Sequence, residues 1–286
     1  MWSMIKREMP FFLALPALMW QFLFVCVPLA LTVYTSLHRV SSETPWYIVT
    51  LDHYAAIFTL PHFLIIGNSL LLALLTVSLC LFIGYPVAYF LALYAGRWRT
   101  ILLFLLTLPF WTNFLTQAYA WFFILDKQGL INRLLLYIGL ISKPWLLTYN
   151  WFAVICVMVY CFLPFMIVPI YSVLQKFDWR LLEASQDLGA TRWQTFIRIT
   201  IPLSKVGIQT GCLLVFIPAC GEFIIPMIMG GSRYMYIGST ITHYILTARN
   251  EHLGAAFTVL SGIALLSSIA LGHLYLRVIH PVLSRR

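Results

Sequence analysis

Residues 151–174 read WFAVICVMVYCFLPFMIVPIYSVL, a run with no charged side chain. It is followed at once by 175–205, QKFDWRLLEASQDLGATRWQTFIRITIPLSK, which is rich in charge and in helix-capping residues. The first run has the length of a bilayer crossing, which needs about 20 apolar residues. The second is too polar to cross and too patterned to be a plain linker. Working outward, similar apolar runs occur at about 11–35, 66–95, 101–125, 206–229 and 254–279. Six spans are therefore expected. The run at 66–95 is the least regular, because no charge falls between Phe63 and Ala95 and Gly84, Tyr85 and Pro86 sit inside it. A kink, a tilt or an interfacial lead-in at 55–66 would each absorb the excess length.

Composition agrees with this reading. Of 286 residues, 62% are hydrophobic and 9% charged. A soluble domain carries about 25% charged residues and needs polar groups to cover itself. The net charge of +9 is spread over the gaps between apolar runs, with no basic patch interleaved with aromatics, so nucleic-acid binding is set aside. The cysteines (Cys26, Cys80, Cys156, Cys161, Cys212 and Cys220) lie within apolar runs and show no Cys-x-x-Cys spacing. They read as small buried hydrophobes. The histidines offer no ligand spacing, so no metal and no cofactor is expected. Lys6 and Arg7 precede the first run as in a signal peptide, but the run from Pro10 to Tyr34 is too long for one, and it reads as a retained first span.

Orientation follows from Lys and Arg. With the N-terminus inside, twelve of them (Lys6, Arg7, Arg97, Arg99, Lys176, Arg180, Arg192, Arg198, Lys205, Arg277, Arg285 and Arg286) lie on the cytoplasmic side and six outside. The positive-inside rule then places both termini in the cytoplasm. Residues 1–286 read as one transmembrane domain, with 175–205 as a cytoplasmic loop.

In that loop, Asp178 suits a helix start before Leu181, Leu182 and Leu188, and Gly189 suits a stop. Thr191 can cap a second short helix carrying Trp193, Phe196 and Ile197, and Pro202 marks a turn into the fifth span. Two amphipathic helices with a glycine corner are expected. They could lie on lipid. Glu183 and Asp187 argue instead for a protein partner, since anionic lipid repels them.

One acidic residue, Glu222, falls well inside an expected span, between Pro218, Gly221 and Pro226. An ionised carboxylate facing lipid costs about 2.5–3.5 kcal/mol even on permissive scales, so it should face a pathway or a partner group. It either meets a cationic solute or shapes the bundle. Trp111, Tyr119 and Trp121 near Asn113 could add aromatic faces for a cation, or form the interfacial belt. Asp126, at the outer end of that span, could attract cations or be a solvated helix-end charge.

Glu183-Ala184-Ser185, Gly189 six residues after the Glu, and then Ile199, Ile201 and Pro202 resemble the EAA loop of ABC importer permeases. That family's pattern is Glu-Ala-Ala, three residues, Gly, nine residues, Ile-x-Leu-Pro; here Ser185 replaces the second Ala and Ile201 the Leu. Asn68-Ser69, Gly84-Tyr85-Pro86, Pro109-Phe110-Trp111-Thr112-Asn113, Leu163-Pro164-Phe165 and Gly221 through Gly231 are similar to permeases of the spermidine/putrescine type. The resemblance implies an all-α integral membrane protein with the type I ABC importer permease (MetI-like) fold and cytoplasmic coupling helices. It implies an inner-membrane transport subunit without enzymatic activity, consistent with the missing Gly-x-x-x-x-Gly-Lys-[Ser/Thr] loop. It further implies a cytoplasmic ABC ATPase dimer docked on Glu183, Ala184, Ser185, Asp187, Leu188, Gly189 and Ala190. The other implied partners are a second permease subunit, identical or different, and a periplasmic or lipoprotein solute-binding protein. The cargo implied is a polyamine, carried along Glu222, Trp111, Asn113, Tyr119 and Asp126. The rivals are an importer for another small solute, an ion-coupled transporter using Glu222 as a proton site, and a membrane enzyme, which lacks a polar constellation.

Overall fold

The structure is a computed structural model that describes residues 15–40, 47–231 and 234–283. Residues 11–14 of the expected first span, with Lys6, Arg7, Arg233, Arg285 and Arg286, lie outside the described residues. Among the described residues the regular structure is helical apart from a two-stranded ribbon, in which β1 (His38–Val40) pairs antiparallel with β2 (Tyr47–Val49). The helices are α1 (Leu15–Leu37), α2 (Asp52–Ile57), α3 (Leu60–Leu93), α4 (Arg99–Thr107), α5 (Phe114–Leu125), α6 (Leu130–Tyr137), α7 (Trp151–Leu174), α8 (Arg180–Asp187), α9 (Arg192–Gly221), α10 (Ile237–Thr242) and α11 (Glu251–Leu283). Five of them (α1, α3, α7, α9 and α11) are long and apolar enough to cross a membrane.

The sixth expected span, 101–125, is not one straight helix. The helical segments Gly96–Trp111 and Phe114–Tyr137 meet at 97°. Pro109 opens the break, Thr112 is extended, and Asn113 caps α5 by accepting from Leu115 N at 2.8 Å. The α3 helix runs unbroken through Gly84, Tyr85 and Pro86. At 34 residues it is about 50 Å long, well beyond the ~30 Å hydrocarbon core.

The described residues within 65–239 form one compact unit, and those within 1–64 and 240–286 form another. The first is centred on α7, whose start is set by Asn150 accepting from Ala153 N at 2.8 Å. A bilayer supplies no hydrophobic drive between helices, so close approach depends on small residues. Gly207 and Gly211, four apart on α9, provide it. A Cβ on Gly207 would lie 2.9 Å from Pro169 O, and one on Gly211 2.8 Å from Met166 Sδ. Gly84 brings α3 close to α7 as well, where a Cβ would come within 3.2 Å of Met166 Cγ and Ile167 Cγ1. Ser69 ties the N-terminal half of α3 to the loop before α10 by accepting from Ile237 N at 2.8 Å.

In the other unit, α1 and α2 pack along α11. Ser36 Oγ and Tyr54 OH are 2.7 Å apart, and His252 Nδ1 lies 3.0 Å from Thr35 O. Among the described residues of α1 only Ser36 is buried by the chain itself; Leu18, Met19, Trp20, Phe22 and Leu23 are exposed. A surface of that size and character is tolerated in lipid or against another subunit, not in water.

Candidate functional site: a short amphipathic helix and two broken spans

The loop at 175–205 departs from expectation in one respect. Its first helix, α8, is present, with Asp178 Oδ1 accepting from Arg180 N at 3.1 Å. Gly189 follows in the left-handed region at φ +85°. Thr191 forms a full capping box with Gln194: its Oγ1 accepts from Gln194 N at 3.3 Å, and its N–H donates to Gln194 Oε1 at 2.9 Å. The helix begun there does not stop. It continues from Arg192 to Gly221, and Pro202 marks no turn. A π-helical turn, Phe196–Thr200, immediately precedes the proline. Widening the helix there shifts the hydrogen-bond register ahead of a residue that has no N–H to give. The fifth span therefore starts at the capping box.

On α8 the sequence-selected residues divide by face. Glu183, Ala184, Asp187 and Leu188 are exposed, as is Gly189, and Leu188 is 89% exposed. Ser185 and Ala190 are half-buried. Positions 183, 184, 187 and 188 share one side at helical spacing, and 185 lies opposite. Beneath this element is an aromatic cluster. The Phe196 ring is 5.6 Å from Tyr85, 5.8 Å from Tyr89 and 5.9 Å from Trp193, and Tyr89 is 6.4 Å from Trp179. The Tyr85 hydroxyl lies 2.9 Å from Ser204 Oγ. Thus Tyr85 of the Gly-Tyr-Pro segment fastens α3 to the start of α9.

The membrane-depth residues are rearranged relative to the sequence reading. Glu222 is not in a helix: α9 ends at Gly221, and Glu222 is extended. Its Oε1 accepts from Ile224 N at 2.8 Å and Ile225 N at 3.4 Å, capping the short helical turn that includes Pro226–Gly230. The carboxylate thus occupies orphan donors at a backbone break, where its charge is also favoured by the helix N-terminus. Gly238 packs against the Gly221 carbonyl here, too close for any side chain.

The third-span break lies next to it. Gln117 Nε2 donates to Pro109 O and, at 2.9 Å, to Thr112 Oγ1, satisfying groups that the bend exposes. Gln117 Oε1 accepts from Cys161 Sγ of α7 at 3.7 Å, and both α5 and α7 pack against the Pro226–Gly230 turn that Glu222 caps. Two interrupted spans thus meet beside α7. Irregular backbone at membrane depth survives where protein satisfies it or where it lines a cavity. Gln117 was not among the residues selected from sequence. Its only sequence signal is an uncharged polar side chain in an apolar run, four residues after Asn113.

The remaining selected residues are not brought to this point. Trp111 is 80% exposed beside the bend, and Tyr119 is exposed on α5. Trp121 packs edge-on to Tyr160 at 5.1 Å. Asp126 terminates α5 about 20 Å from Asn113 along the helix. There its Oδ2 accepts from Gln128 N at 3.3 Å and its carbonyl accepts from Asn132 Nδ2 at 3.0 Å. It is a turn residue.

The long apolar helices and the paired breaks are those of a protein that crosses a membrane several times. Residues 81–285 match the family described as "Binding-protein-dependent transport system inner membrane component", and the chain belongs to that family. It is a multi-pass inner-membrane transport protein, not an enzyme. Among relatives, it is 42% identical over 252 residues to the spermidine/putrescine transport system permease protein PotB of Salmonella typhimurium (strain LT2), covering 86% of this chain and 88% of that one. The PotB protein of Escherichia coli (strain K12) is likewise 42% identical over 252 residues, with 92% of its length covered. A chain of a bacterial ABC transporter that imports the acidic polysaccharide alginate superposes with a TM-score of 0.75 at 20% identity, covering 96% of this chain and 98% of that one. The fold is that of an ABC importer permease.

Proposed function

We propose that this chain is one permease subunit of an ATP-driven importer for polyamines of the spermidine/putrescine class. The observation that carries the reading is 42% identity to the PotB permeases over 86% of the chain. The carboxylate at the junction of two broken spans supports a cationic cargo. A solute-binding protein at the outer face would deliver the polyamine, and a second permease subunit would complete the path. A cytoplasmic ATPase dimer would dock on Glu183, Ala184, Asp187, Leu188 and Gly189, with Ser185 and Ala190 behind them. Both termini lie in the cytoplasm and residues 1–286 act as a single transmembrane domain, in keeping with the positive-inside count.

In this reading Glu222 both caps the fifth-span break and presents negative charge to the cargo. Trp111, Asn113 and Tyr119 flank the neighbouring bend, and Asp126 lies toward the entrance. Gln117 joins them by holding that bend. Uptake of radiolabelled spermidine by cells expressing the complete transporter tests the proposal. Saturable, ATP-dependent uptake that is lost when this chain is deleted supports it. Deletion that leaves polyamine uptake unchanged, with loss of a different solute, refutes the cargo.

A further inference from the structure

We propose that Ser185 and Thr195 form a hydroxyl clasp that locks α8 to α9, so that movement of the docking helix passes into the fifth span. They act as positioning residues for coupling. The inference rests on the reading of α8 as the ATPase-docking element and goes beyond it, because neither hydroxyl is needed for docking itself.

The covalent connection between the two helices is a corner at Gly189. Nothing lies within 4 Å of where a Cβ would sit on that glycine, so packing does not hold the corner shut. The lock comes from two side chains that face each other across it. Ser185 Oγ lies 2.8 Å from Thr195 Oγ1 and also donates to Leu182 O at 2.8 Å. A serine hydroxyl has one proton, and the Leu182 carbonyl can only accept it. Thr195 is therefore the donor and Ser185 the acceptor of the cross-helix bond. Thr195 is 2% exposed, so no water replaces the partner if it is lost. The next residue is Phe196, whose ring sits between Tyr85 and Tyr89 of α3. The clasp thus ends on the residue that wedges the docking element against the second span.

The test uses the whole transporter: this chain with its partner permease, ATPase and binding protein, reconstituted in proteoliposomes at equal amounts of assembled complex. Spermidine delivered per ATP hydrolysed is measured together with retention of the ATPase on purification. Thr195→Val should lower the delivery ratio about three- to tenfold, the range expected for removing one buried hydrogen bond, while the ATPase stays bound, and Ser185→Ala should lower the ratio by a similar factor. Thr195→Ser, which keeps the donor, should restore the parental ratio. The double variant should be no worse than the singles. An unchanged ratio in Thr195→Val, failure of Thr195→Ser to restore it, or release of the ATPase by Thr195→Val each overturns the clasp. Glu183→Arg is run alongside; if it leaves the ATPase bound, the docking reading fails by that result alone. A parental complex that moves no spermidine fails the cargo reading, and the clasp is then read from ATP hydrolysis stimulated by the loaded binding protein, which the same variants should uncouple.

Discussion

Replacing Gly207 with alanine tests whether α7 and α9 are held together by backbone contact. The added Cβ would lie 2.9 Å from Pro169 O, 3.0 Å from Ile170 Cα and 3.1 Å from Val173 Cγ2. The first two are backbone atoms and cannot rotate away. Reaching an ordinary contact near 3.4 Å requires the helices to part by about 0.5 Å. Overpacking of this kind costs about 1–3 kcal/mol. Alanine recovers up to about 1 kcal/mol of helix propensity relative to glycine. The net expectation is a loss of about 1–2 kcal/mol. Gly67 and Gly262 provide the control, being helical glycines with nothing within 4 Å of a built Cβ. There the same substitution should be neutral or stabilising. Unfolding of the purified chain in mixed micelles, followed by circular dichroism against denaturing detergent, measures all three. Equal or greater stability for Gly207→Ala than for the parent would refute close helix packing as the basis of this core.

Gly189→Asn should preserve ATPase retention and transport, whereas Gly189→Val should lose transport several-fold, because the demand there is for positive φ and not for space; equal behaviour of the two in uptake assays would exclude that explanation. Glu222→Gln keeps a capping oxygen but not the charge, so spermidine uptake should fall with little loss of stability, while Glu222→Leu should lose both; the thermal melt and the uptake KM separate these outcomes. Asn132 is fully buried and makes three hydrogen bonds, to Asp126 O and to the Trp145 carbonyl and N–H. Asn132→Leu should therefore destabilise the 126–150 segment by about 3 kcal/mol, seen as faster proteolytic cutting there. Cysteines introduced across 175–190 should react with impermeant reagents only from the cytoplasmic side, and labelling from outside would reverse the topology.

The local structure of 175–195 is largely legible in the sequence because its signals are local. Caps, a glycine stop and an amphipathic repeat act within one or two turns, and Asp178, Gly189 and Thr191 each do what their chemistry suggests. Pro202 misled because a proline is a breaker only if the preceding turn cannot widen, and here Phe196–Thr200 does. Glu222 was recognisable as exceptional, since a lone carboxylate in an apolar run is costly. Its capping role was not recognisable, because hydropathy averages over a window and does not register where the backbone leaves the helix.

By itself the sequence determined that the chain lives in a membrane, about how many times it crosses, and which polar segment is organised as a short amphipathic helix with a glycine corner. Those properties follow from apolar content, run length and local capping. Only the tertiary structure decided where the third and fifth spans break, that α5 and α7 both pack against the turn after the fifth-span break, and that Gln117 ties the third-span bend to α7. Broken backbone in a membrane is stable only when distant side chains satisfy its exposed donors and acceptors, and that pairing is a property of packed helices and not of any one run.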